Sequence, residues 1–220
     1  MTLIQGNMLN ATVLITLKNN RKMSQIRNIL FIIDAQNDFC SEGGSLVCEN
    51  YKETVSNICK LIKNNRFDEV ICTKDTHGKN YGASREGRKL PIPHCIKGMW
   101  GWEINKDIYD VLYGRRWSVI EKPRFMVPFD DLNELNARSC NLSFGSVMQH
   151  YNVYMCGFAT DICVLNNALA VNTMSFVGYD NVRLIEPCCA GTTKENHDKA
   201  VELMKINQID IITDLENIKL

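Results

Sequence analysis

The sequence predicts an α/β protein, specifically a three-layer α/β/α sandwich built on a six-stranded, mainly parallel sheet. Short apolar runs of strand length recur along the chain, and they are continuous rather than alternating, as is typical of strands buried on both faces. Segments with helical spacing lie between several of these runs. An alternation of strands and helices favours a parallel sheet that is covered by helices on both sides.

The apolar runs are the predicted strands, and in chain order they are Ile29–Ile33, Glu69–Thr73, Ser118–Glu121, Asn152–Cys156, Val182–Ile185 and Ile209–Thr213. Apolar residues three and four positions apart predict helices around Ile58, Ala168 and Val201. Two longer connections, 74–117 and 123–151, interrupt the alternation. Long connections in such a domain are usually functional.

The composition is that of a globular chain. It has 220 residues, of which 45% are hydrophobic, and 25 basic residues balance 25 acidic ones. Zero net charge argues against a nucleic-acid partner, and no apolar run approaches the length of about 18 residues that spans a membrane. We expect a soluble protein with a single domain over residues 25–220. Residues 1–24 are predicted to be a disordered extension, or the result of a start misplaced ahead of Met23.

Ten cysteines would permit a disulfide framework, but the chain contains no C-x-x-C pair and is long enough to form a core without bridges. Cys59, Cys72 and Cys156 lie in apolar runs, where a thiol packs like a small hydrophobic group. We therefore expect reduced thiols and a cytoplasmic location.

Chemically useful side chains follow four of the predicted strands. Asp34 follows the first, Asp75 and His77 the second, Lys122 the third, and a segment ending at Cys163 the fourth. In an open parallel sheet the carboxyl ends of the strands share one edge, where ligands bind. The sequence therefore predicts that an acid, a base and a thiol meet there.

Cys163 is the candidate nucleophile, because a thiol at a helix start is shifted toward the thiolate, and a nearby Lys122 would shift it further. Asp34 could accept the thiol proton and later pass it to a leaving amine. Each residue also has an alternative interpretation. Cys163 could be one more buried thiol, Asp34 a turn cap and Lys122 a solvated surface residue.

The second candidate site is a metal centre. Asp75 and His77 are two residues apart, so in an extended segment their side chains point the same way, and Glu86 and His94 follow in the same loop. Two carboxylates and two imidazoles suit one divalent ion, and zinc, manganese and iron are all compatible with them. A solvated loop is the alternative interpretation.

Seven segments together resemble the isochorismatase-like cysteine hydrolases, and within that family the nicotinamidases. In order and spacing the matching residues are 33–39, 43–44, 73–77, 90–98, 101–102, 122 and 157–164. The resemblance implies a catalytic triad of Asp34, Lys122 and Cys163. It also implies an oxyanion hole formed by the backbone N–H groups of Ala159 and Cys163, and a cis peptide bond between Phe158 and Ala159.

The resemblance further implies one divalent metal ion, with zinc the first choice. Asp75, His77 and His94 match the family's metal ligands, whereas Glu86 matches the acidic ligand of a smaller subgroup. The chain departs from the family at Ala83, where many members have another histidine.

A second departure concerns the substrate. Many nicotinamidases have an aromatic wall of the pyridine pocket three residues before the last metal-binding histidine, where this chain has Pro91. Phe39 or Trp100 could supply a replacement wall, although either could instead be a core residue or a loop anchor.

We therefore expect a cysteine-dependent amidohydrolase, with nicotinamidase as the first choice and hydrolysis of another small amide or N-carbamoyl compound as the alternative. A catalytically silent binding or redox-sensing protein of the same fold is the alternative from another class. The expected partners are a small amide substrate and further copies of the chain in a homo-oligomer, and neither nucleic acid nor a membrane.

Overall fold

The computed structural model describes residues 27–128, 130–131, 151–174, 182–218 and 220. The predicted extension, residues 1–24, lies outside this range. Strands and helices alternate along the described chain as β1 Arg27–Ile33, α1 Asn37–Cys40, α2 Tyr51–Asn64, β2 Glu69–Asp75, α3 Lys106–Leu112, β3 Trp117–Lys122, β4 Tyr151–Phe158, α4 Leu165–Met174, β5 Val182–Ala190, α5 Lys194–Ile206 and β6 Asp210–Ile212. None of the helices in the described ranges combines the length and apolarity needed to cross a bilayer.

The strands form one sheet in the order β3-β2-β1-β4-β5-β6, and each pair of neighbours is parallel. All six predicted strands are present, which confirms the predicted sheet. The central strands β1 and β2 are buried along nearly their whole length, whereas the edge strand β3 is only partly covered. Because of this difference, the central strands have longer continuous apolar runs in the sequence than the edge strand β3 has.

The helices form the two outer layers. Helices α2 and α3 pack against each other, and α4 and α5 form a second packed pair. Ile58 and Leu61 on α2 and Val201 and Met204 on α5 contribute buried side chains to the core. The predicted three-layer α/β/α architecture is therefore confirmed.

Two elements differ from the prediction. Strand β5 continues to Ala190, through a proline at position 187, beyond the expected end at Ile185. Helix α3 lies inside the long connection 74–117, where no helix was predicted. Its cap is Asn105, whose side chain accepts a hydrogen bond from the Asp107 N–H at 3.0 Å.

The strand order reverses between β1 and β4, which are neighbours although β2 and β3 lie between them in sequence. Ligands bind at such switch points in open α/β sheets. Gly157 allows the ends of the two strands to approach closely, since it is paired with Ile33 and adopts φ +123°, a region that favours glycine. A Cβ atom at this position would overlap the Ile33 carbonyl oxygen.

The nine cysteines in the described ranges are free thiols. All of them except Cys59 are buried. Their arrangement agrees with the interpretation of most of these residues as small packing groups.

Candidate active site

Asp34, Lys122 and Cys163 meet at the switch point. Asp34 follows β1 directly, Lys122 is the last residue of β3, and Cys163 lies in a π-helical turn, Thr160–Val164, between β4 and α4. The Lys122 side chain passes the carboxyl end of β2 to reach Asp34. The structure therefore brings together three residues that are separated from one another by more than 40 positions in the sequence.

The Lys122 ammonium group lies between the other two side chains. Its Nζ is 2.6 Å from Asp34 Oδ2 and 3.4 Å from Cys163 Sγ, and it donates a further hydrogen bond to the Arg124 carbonyl oxygen at 2.9 Å. Asp34 and Lys122 have no exposed surface. A buried ammonium with this set of partners is fixed in position as well as charged.

Asp34 is held by its own backbone and by β2. The residue adopts φ 45°, an unusual conformation outside glycine, and its N–H donates to Thr73 Oγ1 at 3.0 Å. The Thr73 hydroxyl in turn donates to Asp34 Oδ1 at 2.6 Å. Thr73 was not predicted as a site residue. Its signal in the sequence is a hydroxyl inside an otherwise apolar strand.

Burial determines the titration of the three groups. It raises the pKa of the Cys163 thiol well above its ordinary value, and the Asp34 carboxylate raises it further, while Lys122 lowers it. The prediction of a low thiol pKa is therefore wrong. Burial also raises the pKa of Asp34, although Lys122 opposes this shift. Burial alone would lower the pKa of Lys122, but Asp34 raises it above its usual range.

The turn that carries Cys163 begins after a cis peptide bond between Phe158 and Ala159. Neither the Thr160 nor the Asp161 side chain caps this turn. Instead both side chains reach toward the start of α5. Thr160 Oγ1 lies 2.9 Å from His197 Nδ1, and the Asp161 carboxylate accepts hydrogen bonds from the N–H and hydroxyl of Thr192.

Asp75, His77, Glu86 and His94 form a second cluster beside the first, and one ligand atom from each lies within 4.8 Å of the others. Asp75 Oδ2 is 2.9 Å from His77 Nε2 and 3.4 Å from His94 Nε2. Glu86 Oε1 is 3.7 and 3.5 Å from the same two imidazoles. The four predicted residues therefore converge on one point.

The donor set fits a divalent ion. Imidazole and carboxylate are the ligands that zinc, manganese and iron accept, and the buried Asp75 Oδ1 has no hydrogen-bond partner. His94 Nδ1 is 2.9 Å from the Ile92 carbonyl oxygen, an orientation that leaves Nε2 directed at the cluster. Burial lowers the pKa of His94, but hydrogen bonds that its imidazole donates to the Asp75 and Glu86 carboxylates raise it to about 10. Ala83 lies exposed in a nearby turn.

Asp38 holds in place the loop that carries His94, a role that was not predicted from the sequence. This buried carboxylate accepts hydrogen bonds from the Cys95 N–H at 2.6 Å and from the Ser45 N–H at 2.9 Å. Cys95 adopts φ 46° directly after His94. Gln36 acts similarly at β2, because its side chain donates to the Asp75 carbonyl oxygen and accepts from the Asp75 N–H.

A cavity of about 430 Å³ connects Cys163 with the cluster formed by Asp75, His77, Glu86 and His94. Phe39, Leu46, Leu90, Phe125 and Ile162 supply its apolar surface. The ring of Phe39 lies edge-on to His94, with centroids 5.8 Å apart.

Trp100 was the other residue predicted to form an aromatic wall of the substrate pocket, but it does not line this cavity. Its side chain is 54% exposed, and its carbonyl oxygen accepts a hydrogen bond from the Asn37 side chain. Trp100 therefore fits its alternative interpretation as a loop anchor. Phe125 was not predicted, because it follows Lys122 in an irregular segment without a periodic pattern.

The isochorismatase domain matches residues 28–216 of the chain. Nicotinamidase from Schizosaccharomyces pombe is 25% identical over 86% of this chain and 94% of its own length. The crystal structure of nicotinamidase/pyrazinamidase PncA from Bacillus subtilis superposes with a TM-score of 0.67 at 26% identity, covering 84% of this chain and 98% of that one. Pyrazinamidase of Pyrococcus horikoshii in complex with zinc gives a TM-score of 0.66 at 25% identity, with coverage of 86% and 99%.

Proposed function

The chain belongs to the isochorismatase family, and we propose that it is a cysteine-dependent amidohydrolase that converts nicotinamide and water to nicotinate and ammonia. The observation that carries the proposal is the buried Lys122 ammonium, which lies 2.6 Å from Asp34 and 3.4 Å from Cys163, the member of the three that lines the 430 Å³ cavity. Relatives that are named nicotinamidase support the choice of substrate.

The first step is activation of the thiol. Its raised pKa means that the resting group is S–H, so a base must remove the proton as the substrate binds. Asp34 is that base, since its carboxylate interacts with the thiol and its own pKa is raised by burial. Lys122 stays protonated throughout and stabilises the thiolate that forms.

Acylation follows. The thiolate attacks the amide carbon, the S–C bond forms, and the carbonyl electron pair moves to the oxygen. The backbone N–H groups of Ala159 and Cys163 stabilise this oxyanion. As the intermediate collapses, the C–N bond breaks and the amide nitrogen takes the proton from Asp34, so that ammonia leaves and a thioester remains on Cys163.

Deacylation uses the same residues in the reverse roles. Asp34 accepts a proton from water, the resulting hydroxide attacks the thioester carbon, and a second tetrahedral intermediate forms in the same oxyanion hole. Its collapse breaks the C–S bond and releases nicotinic acid, which loses its carboxyl proton to water to give nicotinate. The leaving thiolate then recovers its proton from Asp34.

We also propose that Asp75, His77, Glu86 and His94 hold one divalent ion, zinc first and manganese or iron otherwise. The converging donors support this assignment, as do the Asp75 Oδ1 atom, which has no hydrogen-bond partner, and the zinc complex of the P. horikoshii protein. Such an ion would take the pyridine nitrogen as a further ligand and orient the ring. Phe39 contributes to orientation from the apolar side of the cavity.

A different small amide is the second candidate substrate. Pro91 replaces the aromatic wall expected in nicotinamidases, and the phenylalanines at positions 39 and 125 line the cavity instead. Ammonia release from nicotinamide, pyrazinamide, N-carbamoyl amines and aliphatic amides would test the proposal. Turnover of nicotinamide, with a thioester on the Cys163 peptide in acid-quenched samples, is the expected result. An enzyme that turns over only aliphatic amides would favour the second candidate.

We further propose that residues 25–220 are one domain and that the protein is a cytoplasmic homo-oligomer that salvages pyridine nucleotides. The free thiols support the compartment. Exposed apolar side chains on the edge strand β3 and in and after α3, namely Val119, Tyr109 and Tyr113, support self-association. Sedimentation equilibrium of the full chain tests the oligomer.

A further inference from the structure

Three cationic side chains line the same cavity as Cys163, and they are Arg85, Lys89 and Arg124. All three are exposed at the cavity rim. Across the described part of the chain, none of them forms an ion pair or a side-chain hydrogen bond. By contrast, Arg88, which lies on the same loop outside the cavity, donates a hydrogen bond to the Ala83 carbonyl oxygen.

The other charges that line the cavity or lie directly behind it already have partners. Asp34 balances Lys122 at 2.6 Å. The carboxylates of Asp75 and Glu86 face the two imidazoles of the cluster, where a divalent ion would balance them. The rim cations therefore add positive charge that no described group in the cavity neutralises.

The rim cations come from two different segments of the chain. Arg85 and Lys89 belong to the loop that carries Glu86, whereas Arg124 follows Lys122 at the end of β3. An anion in the opening could therefore contact cations from both segments. Arginine is well suited to this role because its planar guanidinium binds carboxylate or phosphoryl oxygens through two parallel hydrogen bonds.

We propose that this site is selective for small amides that carry an anionic oxygen group, such as a carboxylate or a phosphonate, on the side away from the scissile carbonyl. The inference rests on the proposed amidase function. An unsubstituted pyridine carboxamide offers the rim cations no partner. A cavity of about 430 Å³ falls in the range of about 300–1,000 Å³ that accommodates ligands larger than a single ring.

The test compares three amides by ammonia release: nicotinamide, nicotinamide with a carboxylate at ring position 5, and the corresponding phosphonate. The measured quantity is kcat/KM for each anionic amide divided by kcat/KM for nicotinamide. We expect this ratio to exceed one for at least one anion at low salt. It should fall as salt rises, because exposed charges are screened.

The variants Arg85→Gln, Lys89→Gln and Arg124→Gln should each lower the ratio about two- to fivefold, and the triple variant on the order of tenfold or more. Lys79→Gln is the matched control, because it removes the same charge from the same loop at an exposed position outside the cavity lining. Its ratio should equal that of the unmodified protein.

A ratio below one for both anions, or a ratio that the triple variant leaves unchanged, would overturn the inference. If only one anion is favoured, that result identifies the group that the rim binds. Failure of the proposed function gives a different result, namely no ammonia from any of the three amides.

Discussion

Lys122 Nζ lies 2.6 Å from Asp34 Oδ2 at a point where neither side chain has any exposed surface. Removing either partner leaves the other as an uncompensated buried charge. Both residues also act on Cys163 and in opposite directions, since Asp34 raises the pKa of the thiol and Lys122 lowers it. This relationship allows the two roles to be separated by measurement.

Asp34→Asn should lower the pKa of the Cys163 thiol, and Lys122→Met should raise it, each by roughly one to three pH units. The rate of iodoacetamide labelling, resolved by peptide mapping and followed against pH, reports this pKa. In the unmodified protein labelling should increase as pH rises above the ordinary range of thiols, because the pKa is raised. The double variant Asp34→Asn/Lys122→Met, which leaves no unpaired charge, controls for misfolding. Shifts of the same sign in both single variants would contradict the proposed arrangement.

Cys163→Ala should reduce amide turnover by more than about 1,000-fold, because the thioester can no longer form. The free energy of unfolding should change by about 1 kcal/mol or less, since the substitution removes one small buried atom. Ammonia release and urea unfolding measure the two effects. Residual activity near that of the unmodified protein would exclude the covalent mechanism.

Removal of the metal should lower kcat/KM for nicotinamide by roughly tenfold or more, because ring orientation is lost. Aliphatic amides lack the ring nitrogen and should be affected much less. Labelling of Cys163 should also stay nearly unchanged, because Lys122 remains beside the thiol.

A chelator, elemental analysis and re-addition of zinc, manganese or iron provide the measurement. Full nicotinamide turnover by protein shown to contain no metal would mean that the cluster is only structural.

Thr160→Val should destabilise the protein by about 1–3 kcal/mol and lower kcat more than it raises KM. The variant keeps the shape of the side chain but leaves His197 without its hydroxyl partner, 2.9 Å away, beside the turn that carries Cys163. Thr160→Ser retains the hydroxyl and is the matched control. Equal stability and equal kcat in the two variants would show that this hydrogen bond does not position the nucleophile.

Gly157→Ala should cost about 2–4 kcal/mol of stability, because φ +123° disfavours a side chain and the new Cβ meets the Ile33 carbonyl oxygen. Gly82→Ala is the control, since a Cβ at that glycine has no neighbour within 4 Å. Urea unfolding of both variants gives the comparison. A Gly157→Ala protein as stable as the Gly82→Ala protein would contradict this account of the contact between β1 and β4.

The pattern of apolar residues is enough to identify the segments that become strands. Continuous apolar runs indicate burial on both faces, and that property does not depend on which strand lies next to which. It also indicated the residues at the strand ends, because parallel strands place their carboxyl ends at one edge. The order β3-β2-β1-β4-β5-β6 could not be obtained in this way, since neighbours in the sheet are set by the packing of the crossover helices.

The protonation state of the Cys163 thiol and the lining of the cavity depend on tertiary contacts. A helix start beside a lysine suggested a thiolate, but the desolvation that reverses this effect depends on how completely neighbouring segments cover Cys163. The sequence analysis offered Phe39 and Trp100 as equally good candidates for the aromatic wall of the pocket. The course of the loop places Phe39 in the cavity and leaves Trp100 exposed, because which side of a loop faces inward depends on contacts with residues distant in the chain.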